Sequence, residues 1–291
     1  MCRLFGLSAG NQRVRATFWL LDAPDSLEVE SRRNADGAGL GYFDSDHRPV
    51  IDKQPEAAYR DPEFVRAAVE ASSNTFVGHV RWATAGGRTW ENTHPFQMRS
   101  MVMAHNGGFE DLPKLDAYLG EHRQLVMGDT DSERLFALVT KETEARDGNV
   151  TEGITAAATW VAQNLPLTSL NLVLIGNQEM WALRYPDQHA LHVIQRPAGA
   201  SNPHPGAGPA AQHPGLSARG GSASMHSTDL HSAPSVVVAS EELDGEVGWR
   251  MLAPGELVHV APDLSVHSTI AVPDPPVDLV PLPAGGPNID T

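Results

Sequence analysis

Cys2 is the only cysteine in the 291-residue chain and stands directly after Met1. Removal of Met1, expected ahead of a small second residue, leaves a thiol and a free α-amine on one residue. That pair is sufficient for nucleophilic catalysis. The thiolate attacks, and an α-amine titrating near ~8 takes up the proton near neutral pH without a histidine. Threonine with its own N-terminal amine is a known version of the arrangement. Taken alone, Cys2 reads more readily as a small apolar residue of an N-terminal strand, so the decision rests on what the rest of the chain supplies.

Three other places carry chemistry. Arg81 ends an apolar strand pattern over 75–80 and is suited to a bidentate grip on a carboxylate; a surface salt bridge is the commoner use of such a residue. The segment behind it, Trp82-Ala83-Thr84-Ala85-Gly86-Gly87, is rich in small residues and suited to closing over a ligand. Asn106 and Gly107 end a second strand pattern, 101–109. An asparagine amide and a neighbouring N–H are oxyanion donors, although Asn-Gly is equally a tight-turn dipeptide. Asp131 follows Thr130 in a T-x-x-E capping box closed by Glu133. It either complements the helix dipole or binds an ammonium group.

These residues need a frame. A strand over 2–8 fixes the terminus instead of letting it fray. Residues 14–22 read as a short helix. Residues 37–43 form a strand with three glycines, a pattern that requires something to pack against bare backbone; G-x-G-x-x-G is not satisfied and nucleotide binding is not expected. Helices are expected at 61–72, capped by Asp61 with Pro62 in the first turn, at 111–122, after Thr130, and at 151–163. Residues 92–96 read as a turn. Short apolar runs at 170–175, 180–185, 191–195, 235–241, 257–260 and 264–270 read as strands. Residues 197–234, dense in Pro, Gly, Ala and Ser, cannot bury enough apolar surface to order themselves and read as a disordered insertion. Its histidines, 204, 213, 226 and 231, match no metal-ligand spacing, so no metal is expected. The Pro-rich segment 273–291 reads as an arm or a disordered tail.

Composition narrows the function. The net charge is −15, with 36 acidic against 21 basic residues, which argues against nucleic-acid binding. A single cysteine fits a reducing cytoplasm. No apolar run approaches the ~20 residues of a membrane span, and no signal peptide is evident.

Taken in order, Met1-Cys2-Arg3-Leu4, Asp36-Gly37 with its glycine-laced strand, His79-Val80-Arg81-Trp82-Ala83-Thr84, Asn92-Thr93-His94-Pro95, Ala104-His105-Asn106-Gly107 and Gly128-Asp129-Thr130-Asp131-Ser132-Glu133 resemble the glutaminase domain of the class II glutamine amidotransferases, which are N-terminal-nucleophile hydrolases. The resemblance covers about 2–272 and implies an α+β, four-layer αββα sandwich of two mainly antiparallel sheets. It implies Cys2 as the nucleophile with its own α-amine as base, Asn106 and Gly107 as the oxyanion hole, Arg81 on the substrate α-carboxylate, Asp131 on its α-ammonium, and Trp82 and Thr84 in a loop over the substrate. Position 85 is Ala where several relatives carry His. The implied reaction is hydrolysis of the γ-amide of glutamine, or of a larger γ-glutamyl compound as in the ergothioneine-pathway amidohydrolases, through a thioester and without a cofactor. No stretch after residue 270 is long enough to be a synthase, so a separate ammonia-consuming synthase subunit is an expected partner. A catalytically inactive binding or regulatory module is the alternative of another class.

Overall fold

The computed structural model describes residues 2–83, 86–176, 178–198 and 233–282. The strands form two sheets. The first contains β1 (Arg3–Ser8), β2 (Ala38–Phe43), β3 (Pro49–Gln54), β4 (Thr75–Val80), β9 (His192–Arg196), β10 (Ser235–Ala239) and β11 (Arg250–Met251), in the order β11-β9-β10-β1-β4-β2-β3. The second contains β5 (Phe96–Met98), β6 (Met101–Phe109), β7 (Leu167–Gly176), β8 (Glu179–Leu183), β12 (Glu256–Val260) and β13 (Val266–Ile270), in the order β13-β12-β8-β7-β6-β5. Neighbouring strands within both sheets run antiparallel.

The helices are α1 (Leu27–Glu30), α2 (Pro62–Glu70), α3 (Leu112–Leu119), α4 (Asp131–Glu144) and α5 (Val150–Asn164). Strand alternation sorts the apolar residues into layers. Leu4, Val77, Val102, Ala104 and Val173 meet between the sheets. Phe5, Leu7, Phe76 and Val80 point the other way, toward Phe64, Ala67 and Ala68 of α2. Met103, Leu172 and Leu174 pack on α4 and α5 through Phe136, Val139, Ala157 and Val161. The result is helix, sheet, sheet, helix, an α+β sandwich as the resemblance implies.

Local signals explain the helix starts. Asp61 accepts the Glu63 N–H with Pro62 behind it, and Thr130 accepts the Glu133 N–H at 3.2 Å. The second half of the expected capping box goes elsewhere: the Glu133 carboxylate takes the N–H groups of Met127 and Gly128, at 3.0 and 2.6 Å. It therefore pins the segment before the helix.

Other expectations need correction. Of 14–22 only Phe18–Asp22 is helical, as a π-helical turn, while Val14 bridges Ser73. The expected turn at 92–96 leads straight into β5, and β3 lacked a recognisable alternation. The glycines of β2 do meet backbone: a Cβ on Gly39 would stand 2.3 Å from the His94 carbonyl oxygen. The expected insertion at 197–234 lies outside the described residues except at its ends. The chain after Pro273 contributes Leu279, which bridges Leu167 in parallel register. No helix among the described residues is long and apolar enough to cross a membrane.

Candidate active site

The site is built at one end of the space between the sheets. β1 is a central strand, paired with β10 on one side and β4 on the other, so residue 2 is held by a strand that cannot drift. The pair Arg3–Val80 sets the register and brings Cys2 opposite Arg81. Cys2 shares the parity of Leu4 and Asn106 that of Ala104, so both face the inter-sheet layer.

The Cys2 sulfur lies on the backbone of Trp82. The Trp82 N–H donates to Sγ at 3.2 Å, and the thiol donates to the Trp82 carbonyl at 3.4 Å. Cys2 is only partly buried, and the loss of solvent around its sulfur pushes the thiol above its usual range. The Trp82 N–H and the Arg81 guanidinium oppose that shift, and the Asp131 carboxylate adds to it. Arg81 is itself buried, and one of its Nη groups donates to the Gly87 carbonyl at 3.1 Å. Cys2, Asp36 and Asp131 are the groups whose negative charge it feels.

Asn106 and Gly107 lie inside β6, not in a turn, opposite Asn171 and Leu170 of β7. Asn106 is buried and its side-chain amide makes no hydrogen bond to a described residue. Asp131 opens α4, is partly exposed, and accepts the Phe109 N–H at 3.3 Å. Its neighbour Ser132 bonds His105 Nδ1 at 2.9 Å, and His105 Nε2 bonds the Ser169 carbonyl at 3.2 Å. A carbonyl only accepts, so the proton sits on Nε2 and Nδ1 accepts from the hydroxyl. This chain ties the start of α4 to β6, where the Asp131 carboxylate lies against Gly108 and Phe109.

Histidines near the site are poor bases. His79 and His94 are buried with ring centroids 4.2 Å apart, and burial depresses both, His79 to about 3. Burial likewise depresses His105. Among the described residues no three His, Cys, Asp or Glu side chains form a group that could hold a metal ion.

Of the residues expected from the sequence, Cys2 stands opposite Arg81 across β1 and β4, Asn106 lies in the same layer as Cys2, and Asp131 opens α4 against the end of β6. The Trp82 side chain is 42% exposed, and it is the backbone of this residue that meets the sulfur. Thr84 lies outside the described residues. Asp36 was missed: its side chain accepts the Ala83 N–H at 2.8 Å and pairs with Arg88. Only its place ahead of the glycine-laced strand hinted at a role.

The family model described as glutamine amidotransferases class-II matches residues 1–273. An uncharacterized protein of Methanocaldococcus jannaschii is 33% identical over 158 residues, 50% of this chain and 40% of the relative. A probable glutamine amidotransferase of Saccharomyces cerevisiae is 30% identical over 159 residues, 47% of this chain and 44% of the relative. These matches span less than half the length of either relative. Among solved structures, a glutamine aminotransferase class-II domain protein from Silicibacter pomeroyi superposes with a TM-score of 0.58 at 18% identity, covering 92% of this chain and 98% of that one. The glutamine phosphoribosylpyrophosphate amidotransferase of B. subtilis gives 0.60 at 17% identity, over 94% of this chain and 50% of that one. At these identities the superpositions speak for the fold alone.

Proposed function

The chain belongs to the class II glutamine amidotransferases, and on that premise we propose that Cys2 hydrolyses the γ-amide of glutamine or of a γ-glutamyl compound through a thioester. The carrying observation is that the β1–β4 register holds Cys2 opposite the buried Arg81, with the uncommitted amide of Asn106 in the same inter-sheet layer. A γ-glutamyl substrate has a carboxylate and an ammonium at one end and an amide at the other. Arg81 takes the carboxylate, Asp131 the ammonium, and Asn106 with the Gly107 N–H the developing oxyanion.

With the nearby histidines depressed by burial, the base assigned here is the Cys2 α-amine. With Met1 removed, the Cys2 α-amine takes the thiol proton as the sulfur–carbon bond forms. It returns that proton to the leaving nitrogen as the carbon–nitrogen bond breaks. Water then adds to the thioester, its proton passes to the amine, and glutamate leaves as the thiol is restored. Ammonia goes to solvent or to a synthase partner; a larger amine leaves in the same way.

The test is acid-quenched intact mass during turnover of glutamine. A γ-glutamyl adduct on the peptide beginning at Cys2, absent in Cys2→Ala, supports the reading. Undiminished ammonia release by Cys2→Ala, or full activity with Met1 retained, defeats it. Cys2→Ser should be severely impaired, since a hydroxyl ionises far less readily than a thiol. Comparing glutamine with γ-glutamyl amides of larger amines identifies the leaving group.

A further inference from the structure

Two consecutive peptide units flank Trp82, and each is shared between the same two residues. In the first, the Arg81 carbonyl accepts the Asp36 N–H at 3.1 Å, while the Trp82 N–H of that unit donates to Cys2 Sγ at 3.2 Å. In the second, the Ala83 N–H donates to Asp36 Oδ2 at 2.8 Å, while the Trp82 carbonyl of that unit accepts from the Cys2 thiol at 3.4 Å. Gly37 adds a third clamp by accepting the Arg81 N–H at 2.8 Å. The other carboxylate oxygen of Asp36 pairs with Arg88, further along the same segment.

We propose that Asp36 is a positioning residue for the nucleophile: it holds both peptide dipoles of Trp82 in register with the Cys2 sulfur. Rotation of either unit breaks a bond to Asp36 and a bond to sulfur together. The two dipoles oppose each other. The Trp82 N–H favours the thiolate and its carbonyl favours the thiol, so their fixed geometry sets how readily Cys2 ionises. A free loop would turn its carbonyl away from the thiolate and its N–H toward water, and the setting would be lost. The acceptor oxygen that holds Ala83 is the essential feature, not the charge of the carboxylate.

The inference rests on Cys2 as the reactive thiol, and its test does not need turnover. Cys2 is the sole cysteine, so the rate of iodoacetamide alkylation against pH reads its ionisation alone, whether or not glutamine is hydrolysed. Asp36→Ala loses the Ala83 anchor and frees the peptide unit that carries the Trp82 carbonyl, while the backbone bonds that keep the Trp82 N–H on sulfur remain, so the alkylation midpoint should shift downward. Asp36→Asn keeps an acceptor oxygen and should leave the midpoint near that of the parent. It also serves where the alanine variant does not fold, as judged by thermal melting. The kcat/KM of Asp36→Ala should fall on the order of 10²-fold, as for a misplaced catalytic group, with Asp36→Asn restoring most of it. A bare charge effect would move both variants alike, since removing a nearby carboxylate lowers a thiol pKa whether Ala or Asn replaces it. An Asp36→Ala midpoint at or above that of the parent, or an Asp36→Asn profile displaced as far as that of Asp36→Ala, overturns the proposal. A shifted alkylation profile in a protein that never hydrolyses a γ-amide would defeat the proposed function and leave this inference standing.

Discussion

Gly107 of β6 packs so tightly on the backbone of Ser169 in β7, the residue next to its register partner Leu170, that a Cβ on Gly107 would stand 1.9 Å from the Ser169 carbonyl oxygen. The neighbouring atom is backbone, so no side-chain rotation relieves the clash. Any other residue must push β6 off β7, and Asn106 moves with it. Gly107→Ala should destabilise the protein by about 1–3 kcal/mol and depress kcat in the fraction that folds. Urea unfolding with steady-state kinetics on the same preparation checks both.

Substrate recognition and chemistry should separate in kinetics. Arg81 and Asp131 are assigned to the amino-acid end of the substrate, remote from the scissile bond, and loss of either leaves a substrate charge unpaired at a cost of about 2–5 kcal/mol. Asn106 is assigned to an oxyanion that exists only on the way to the tetrahedral intermediate. Arg81→Ala and Asp131→Ala should chiefly raise KM, and Asn106→Ala should lower kcat on the order of 10²–10³-fold. An α-N-acylated glutamine, which lacks the ammonium, should be a poor substrate for the parent. If the parent turns it over as fast as free glutamine, the Asp131 assignment is wrong.

Acid should unfold the protein partly through His79. Burial lowers its folded pKa from 6.5 to about 3. Between those values the unfolded chain binds a proton that the folded chain refuses, so stability falls as pH falls through the window and is recovered as pH rises above it. At pH 5 this one residue should cost on the order of 2 kcal/mol relative to neutral pH. His79→Phe keeps the ring and removes the titration, so its stability should fall less steeply between pH 7 and 5 in paired urea melts. Equal slopes would assign the acid sensitivity to other groups.

Arg196 and Ser235 are register partners on β9 and β10, so the ends of the 197–234 segment lie side by side. Replacing residues 199–232 with a short Gly-Ser turn should preserve the melting temperature and glutamine hydrolysis, because loop length costs little. A large fall in melting temperature would show that the segment is packed.

How much of this was legible in the sequence depended on the range of the forces involved. The starts of α2 and α4 followed from Asp61-Pro62 and Thr130, because a cap is satisfied within three residues of itself. The layers came with the family resemblance, and the chemistry proposed for Cys2 from its place next to Met1. The six motifs taken in order pointed to a family and, through it, to Arg81, Asn106 and Asp131. The tertiary structure alone decided the rest. Asn-Gly is a turn dipeptide by local preference, and it became strand because β7 pairs alongside it over the whole length of β6. The helical spacing over 14–22 survived only at Phe18–Asp22, since Val14 was drawn into a bridge with Ser73. Asp36 stood among the motifs without a role, because its partners are 47 residues away at Ala83, and only the register of β2 on β4 and β4 on β1 brings it against the peptides that hold the Cys2 sulfur.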